Sequence, residues 1–527
     1  MESANLQLPF GPPPGFNTLV HSYLKHGNQE ILAQLLQIWT PAIDIDHSLM
    51  GLALHRAIFK GDETAVRIML DAGVSPTVLS DGNNYTPLLT ASDAGQRQIA
   101  RLLWHLVGPE GRRTCLQLAA ENGHVDLASD FLDIWDGWST DEKCRALHVA
   151  ARQWDDNVVS LLLAKVPYEA DAVQAALELS IARGPILPVT LWVSRQPITT
   201  AEDDLRLQRV VCRLIDAGAN TDARLRSLVP LLHVAAQSGH RIGALKGLLE
   251  KGADVNIQDE SGKTALHKLF TRPSPSMAVL RALLQHGASP EMADETGETA
   301  LHAVAYAGTL EQLQLCLPSC RDADAAIRLH TSHGELPLHY AAAGGREDIA
   351  EFLLSRGFNV DSANANGWTP LICTLMPTDV KAIYPKCSLA SFLLQQGASA
   401  QVVTDEGWTA LHGLASYPST DRDLPPEKWE GVVPLVRELI SRGAPLDTES
   451  SVLRNRSVTR GTLIQSNAWG IRMRWFAQEA ATSSPTESPE TVEDRDTTPH
   501  MWAYRTGAME VFNTVLAHWG SVSEVER

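Results

Sequence analysis

The 527-residue sequence contains no apolar run approaching the roughly 18 residues that span a bilayer, so no transmembrane helix is expected. It begins Met1-Glu2-Ser3-Ala4-Asn5, with no cationic stretch and no apolar core behind it, and no secretory signal is expected. Cysteines are few and odd in number, seven over the whole length, which argues against a disulfide framework. There is no C-x-x-C pair. Cys316 and Cys320, four apart, lack nearby partners for a metal, and packing is the better reading. Neither G-x-G-x-x-G nor G-x-x-x-x-G-K-[ST] occurs, and neither does G-x-S-x-G or H-E-x-x-H, so nucleotide binding and the commoner hydrolytic chemistries have no support. Positive charge is also short: 44 basic against 62 acidic residues give a net charge of −18. That balance opposes attraction to a phosphate backbone or an anionic membrane. An intracellular protein of cytoplasm or nucleus is expected, with no direct nucleic-acid, membrane or small-molecule partner and no cofactor.

What the chain has in quantity is repetition. TALHKLF at Thr264, TALHAVAYAG at Thr299 and LPLHYAAAGG at Leu336 are copies of one segment. Relatives start at 18, 52, 86, 114, 145, 175, 230, 369, 409 and 498, giving thirteen units at spacings that lie mostly between 28 and 40. A second half recurs as LLEKGADVNIQDESG at Leu248, LLQHGASPEMADETG at Leu283 and FLLSRGFNVDSANANG at Phe352. This pattern resembles the ankyrin repeat family, and the divergent copies are similar to ankyrin-repeat regulators of filamentous fungi. The resemblance implies a mainly α solenoid of about thirteen helix-turn-helix units with finger loops. It implies binding of other proteins, with no catalysis. A transcription coregulator acting through a DNA-binding partner is one form of that function, and a substrate adaptor of a ubiquitin ligase is the alternative.

Local chemistry explains the pattern. Thr264 suits the N-cap of a first helix, and proline at Thr86-Pro87 and Thr369-Pro370 falls where its missing N–H costs nothing. Gly239, Gly308 or Gly345 stops that helix, and Gly252, Gly287, Gly357 or Gly397 suits a left-handed residue after the second. Asp259-Glu260-Ser261-Gly262 is turn chemistry for the finger.

The expected organisation is a Pro/Gly-rich arm over 1–17 and repeats over 18–184, then an insertion over 185–206 and further repeats over 207–447. A partly helical insertion over 448–480, a disordered Ser/Thr/Pro/Glu-rich linker over 481–497 and a degenerate repeat over 498–520 follow. The longest non-repeat stretch is too short for a separate catalytic domain.

Eight histidines (His21, His55, His148, His233, His267, His302, His339 and His412) share one slot of the motif. The resemblance implies that they bridge neighbouring repeats by hydrogen bonds. Units packed about 10 Å apart cannot bring them to one metal. The residue before each capping position lies on the finger, and Tyr85, Lys263, Glu298, Trp368 and Trp408 are the candidate partner-binding residues. Tyr and Trp there are candidate interface anchors, the alternative being rings packed to stiffen the finger. Glu260, Glu295, Asp405 and Glu406 favour a basic protein partner, the alternative being solvated turns.

Overall fold

A computed structural model describes residues 29–38, 48–80, 84–182, 200–225, 227–238, 242–272, 274–376, 385–415 and 431–446, with single residues at 22, 448, 514 and 517. The arm over 1–17, the stretch 449–513, and most of the insertion over 185–206 and of the degenerate repeat over 498–520 lie outside the described residues, as does His21. No β-strand occurs among the described residues. The chain divides into two compact units, residues 1–225 with 240–253, and residues 226–239 with 254–527.

The first unit holds α1 (Gln29–Ile38), α2 (Ser48–Lys60), α3 (Glu63–Asp71), α4 (Pro87–Asp93), α5 (Arg97–Trp104), the short α6 (Pro109–Arg112), α7 (Cys115–Glu121), α8 (Val125–Ile134), α9 (Thr140–Arg152), α10 (Asp156–Lys165), α11 (Ala170–Ala182) and α12 (Ala201–Asp216). The second holds α13 (Leu231–Ser238). Next, α14 (Ile242–Glu250) groups with the first unit. The second unit continues with α15 (Ala265–Leu269), α16 (Met277–Gln285), α17 (Ala300–Ala307), α18 (Leu310–Cys316), α19 (Ala323–Ala326), α20 (Pro337–Gly344), α21 (Glu347–Ser355), α22 (Pro370–Leu375), α23 (Cys387–Gln395), α24 (Ala410–Ala415) and α25 (Val432–Ser441).

Within each unit, first helices stack on first helices and second on second, as α7 on α9 on α11, or α17 on α20 on α22. The sequence dictates this through small residues on the first helices. Ala119, Ala120, Ala146, Ala150 and Ala151 are fully buried, and so are Ala300, Ala305, Ala341, Ala342 and Ala343. Second helices bury one apolar face: in α5, Ile99, Ala100, Leu103 and Trp104 point inward while Arg97 and Arg101 fork onto Asp130 of α8.

Caps set the ends. Ser139 and Glu142 form a reciprocal capping box on α9, and Thr200 and Asp203 do so on α12, whose first residues fall inside the stretch expected as an insertion. Gly252, Gly287, Gly357 and Gly397 take φ of +83°, +84°, +80° and +94° after their helices, the left-handed conformation expected for them. Gly345 stops α20 in the same way, whereas Gly308 ends α17 in extended backbone. At the matching point after α9 stands Trp154, left-handed at φ +59°. Its ring is buried and its indole N–H donates to Ser180 O at 3.0 Å.

Fingers form in the second unit. Five consecutive loops, 259–263, 294–298, 331–335, 364–368 and 404–408, each close with a backbone bond from the first residue's N–H to the last residue's carbonyl. Asp259, Asp294, Thr331, Asn364 and Thr404 start them, and each side chain accepts backbone N–H bonds from its own loop. Neighbouring fingers are sewn together by Glu295 N–H to Ser261 O, Ser332 N–H to Thr296 O, Ala365 N–H to His333 O and Asp405 N–H to Asn366 O. Glycine is required at the fourth position: Gly297 has φ +79°, and a Cβ there would lie 2.9 Å from Ser332 N.

Fingers were expected for all units, and the repeats starting at 114, 145 and 175 lack them. Their spacings explain why. Thr86 to Thr114 is 28 residues, Thr114 to Arg145 is 31 and Arg145 to Ala175 is 30, against 34 from Pro230 to Thr264 and 35 from Thr264 to Thr299. Two helices and a turn consume the shorter period. An aromatic cluster seals that edge instead. Trp104 stacks on Phe131 at 5.0 Å, and Trp138 lies 4.6 Å from Trp135 and donates its indole N–H to Phe131 O at 3.0 Å. The Arg112 guanidinium sits 4.8 Å above the Trp104 ring.

Candidate interaction surface

The motif histidines sit beneath the fingers. His267 Nδ1 accepts the Thr264 backbone N–H at 3.1 Å, and its Nε2 donates to Glu298 O, on the next finger, at 3.0 Å. His302 repeats this from Thr299 to Glu335 O, and His339 from Leu336 to Trp368 O. His233 Nε2 donates to Ile257 O, and His412 Nδ1 accepts from Thr409. In the first unit His55 reaches Val78 O and Thr90 Oγ1, and His148 reaches Ala172 O. With Nδ1 accepting and Nε2 donating, the ring is wanted neutral. Burial accordingly holds His267 and His302 down to about 4. No group of three metal-ligating residues occurs among the described residues.

The finger residues proper are Lys263, Glu298, Trp368 and Trp408, with Tyr85 as their counterpart in the first unit. Trp368 and Trp408 are each 2% exposed, with ring centroids 6.0 Å apart. They are packed against each other within the row, so neither ring protrudes as an anchor. The stiffening alternative describes their position. Tyr85 is half-buried in a loop held by Ser80.

Lys263 and Glu298 are drawn inward as well. Lys263 Nζ lies 3.0 Å from both Asp294 Oδ2 and Glu298 Oε2. Burial depresses Lys263, but Glu298 and Asp294 outweigh it and raise the ammonium above its ordinary range. Burial also pushes Asp294 up, and bonds from Thr296 together with Lys263 bring it below the ordinary range. Glu298 behaves oppositely. Burial carries it up to about 7 despite Lys263, because Asp294 and Glu335 stand close. Both partners of the Lys263–Glu298 pair thus rise. One ammonium shared by two carboxyls resolves this: Asp294, with its extra N–H donors, keeps the charge, and Glu298 yields it.

Asp294 and Glu335 were missed as site residues. Glu335 occupies the same slot as Glu298 but precedes Leu336 where other units have threonine, so a threonine-anchored reading passes over it. It is 3% exposed, with Oε2 3.5 Å from the Tyr340 hydroxyl.

The exposed surface is left to the fingertips, where Glu260, Glu295 and Asp405 are exposed and Glu406 is half-buried. No Lys or Arg stands on the five tips, and α17, α20, α22 and α24 carry no charged residue.

This arrangement defines a repeat solenoid of the ankyrin class. The family model described as "Ankyrin repeats (3 copies)" matches residues 232–324, 269–364 and 303–383, so this part of the chain carries ankyrin repeats. Neurogenic locus notch homolog protein 1 of Homo sapiens is 38% identical over 142 residues, 27% of this chain and 5% of that protein. The Danio rerio homolog is 30% identical over 165 residues, 31% of this chain and 6% of its own length. The chain thus spans about a twentieth of these relatives. An ankyrin repeat protein of Fowlpox virus is 27% identical over 183 residues, 34% of this chain and 92% of that protein. Ankyrin repeats are protein–protein interaction modules. No helix among the described residues is long and apolar enough to cross a membrane.

Proposed function

We propose that this chain is a non-enzymatic interaction scaffold whose partner, a basic protein segment, lies along the finger row between Asp259 and Trp408. The observation that carries this reading is the charge pattern of that row. Acidic tips at Glu260, Glu295 and Asp405 face solvent without a Lys or Arg among them, beside first helices that are uncharged from α17 to α24. Complementary potentials of this kind speed encounter and select partners. The row is also preformed, its loops closed by their own first residues and sewn to each other, so little ordering entropy opposes binding. A transcription coregulator that reaches DNA only through such a partner agrees with a net charge of −18.

The test compares Glu260→Lys/Glu295→Lys/Asp405→Lys with Glu347→Lys/Glu351→Lys on the second helix α21. Binding to a partner purified with the wild-type chain is measured by titration calorimetry. A loss of tenfold or more in the first variant alone supports the finger row. Equal loss in both, or in neither, moves the interface elsewhere.

A further inference from the structure

Beneath the tips, two buried carboxyl groups share one ammonium, and a third carboxyl, Glu335, stands close to one of them, Glu298. Lys263, from the preceding finger, touches Asp294 and Glu298. Glu335, from the following finger, is buried beside Tyr340 of α20. His267 donates to the Glu298 carbonyl and His302 to that of Glu335, so the backbone bearing both acids is held from below. The same loops carry the stitches between fingers, Glu295 N–H to Ser261 O and Ser332 N–H to Thr296 O. A carboxylate buried without a full partner is expelled toward water. Here expulsion of Glu298 would pull on the loop that holds both stitches.

We propose that Glu298, with Lys263, Asp294 and Glu335, forms a proton-gated latch on the finger row: protonated Glu298 keeps fingers 259–263, 294–298 and 331–335 closed, and its ionisation loosens them. Loosened, the row turns Asp294, Glu298 and Glu335 outward, adding acid to the surface that the scaffold reading assigns to a basic segment. That last use rests on the scaffold reading; the latch does not. His267 and His302, held near 4 by burial, keep one charge state from pH 6 to 8, so they do not confound that window.

The experiment is amide exchange by mass spectrometry on the full chain at pH 6, 7 and 8, with intrinsic exchange divided out. The amides of Gly367 and Trp368, which bond to Asn364 within a finger that has no ionisable side chain, are the internal control. Protection over 294–298 is expected to fall as pH rises, by up to about tenfold per unit once Glu298 ionises, while the Gly367 and Trp368 amides stay level. Glu298→Gln keeps an acceptor for Lys263 and is expected to stay closed at every pH. A wild-type profile as flat as the control, or a slope that survives in Glu298→Gln, overturns the latch. Separately, an oligo-lysine peptide titrated at pH 8 against wild type and Glu260→Gln/Glu295→Gln/Asp405→Asn tests the surface. Weaker binding by that variant supports the surface; equal binding sinks it and leaves the exchange result standing.

Discussion

Repeats 115–182 and repeats 264–415 use the same helix pair but finish its edge in different currencies. In the first stretch a period of 28 to 31 residues leaves no chain for a finger, and aromatic rings cover the helix ends. In the second, extra residues fold into loops whose polar backbone must be satisfied, and Asp, Asn and Thr side chains satisfy it. An apolar seal is indifferent to proton and salt. A row of self-capped loops with acids beneath is sensitive to both, and it exposes acidic side chains to solvent. Three to seven more residues per repeat therefore change a packed edge into an exposed polar one.

The largest effect should come from the seal. Trp104→Ala removes a ring that is 2% exposed and stacked on Phe131, and should cost about 4 kcal/mol by guanidinium denaturation of the first unit. A cost below about 1 kcal/mol would mean that the aromatics merely decorate an edge closed by other contacts. Next is the finger turn. Gly297→Ala forces a left-handed alanine and sets its Cβ 2.9 Å from Ser332 N, threatening the bond to Thr296 O. The expected cost is about 2 kcal/mol. Gly73→Ala, also left-handed but with nothing within 4 Å, should cost about 1 kcal/mol. Equal costs would show that finger stitching adds nothing.

Proton linkage should separate the two edges further. Burial lowers His267 and His302 to about 4, so between about 6.5 and 4 the unfolded chain binds more protons, and stability falls as pH falls. Glu298 has the opposite sign. Raised to about 7, it binds its proton more tightly when folded, and between about 4.5 and 7 its contribution shrinks as pH rises. The two histidines outweigh the one acid, leaving a shallow acid loss in wild type. Glu298→Gln should therefore steepen the fall between pH 6.5 and 4.5, read as urea midpoints of the second unit. An unchanged slope would remove Glu298 from the linkage.

Much of this was legible in the sequence, and its failures are instructive. The threonine, histidine and glycine slots gave helices, caps and cross-repeat bonds because each is decided within one repeat or by its immediate neighbour. The missing fingers were also visible, as the short spacings before Thr114, Arg145 and Ala175, but a family pattern that includes fingers masked them. Trp368 and Trp408 went the other way. Their slot on the finger was correct, yet a loop residue can face either side, and the side depends on a ring one repeat away. Glu335 was hidden by Leu336, which breaks the threonine anchor while leaving the loop geometry intact. Pairing among Lys263, Asp294 and Glu298 has no sequence signature beyond charges about one period apart.

The smallest effect offers the sharpest discrimination. Thr369 heads the one repeat between Thr264 and Thr409 in which isoleucine, Ile372, replaces the histidine. Its hydroxyl is buried and makes no hydrogen bond, whereas Thr299 Oγ1 lies 2.9 Å from His302 Nδ1. A buried hydroxyl without a partner is a cost, and one with a partner is a modest gain. Thr369→Val should then be neutral or slightly stabilising, while Thr299→Val should lose about 1 kcal/mol in the same urea titration. Ile372→His supplies the absent acceptor and should turn Thr369→Val from harmless to harmful, because the hydroxyl would then have work to do. If Thr369→Val costs as much as Thr299→Val in the native background, the threonine acts through its methyl and backbone shape, and the histidine is a bridge that the fingers can do without.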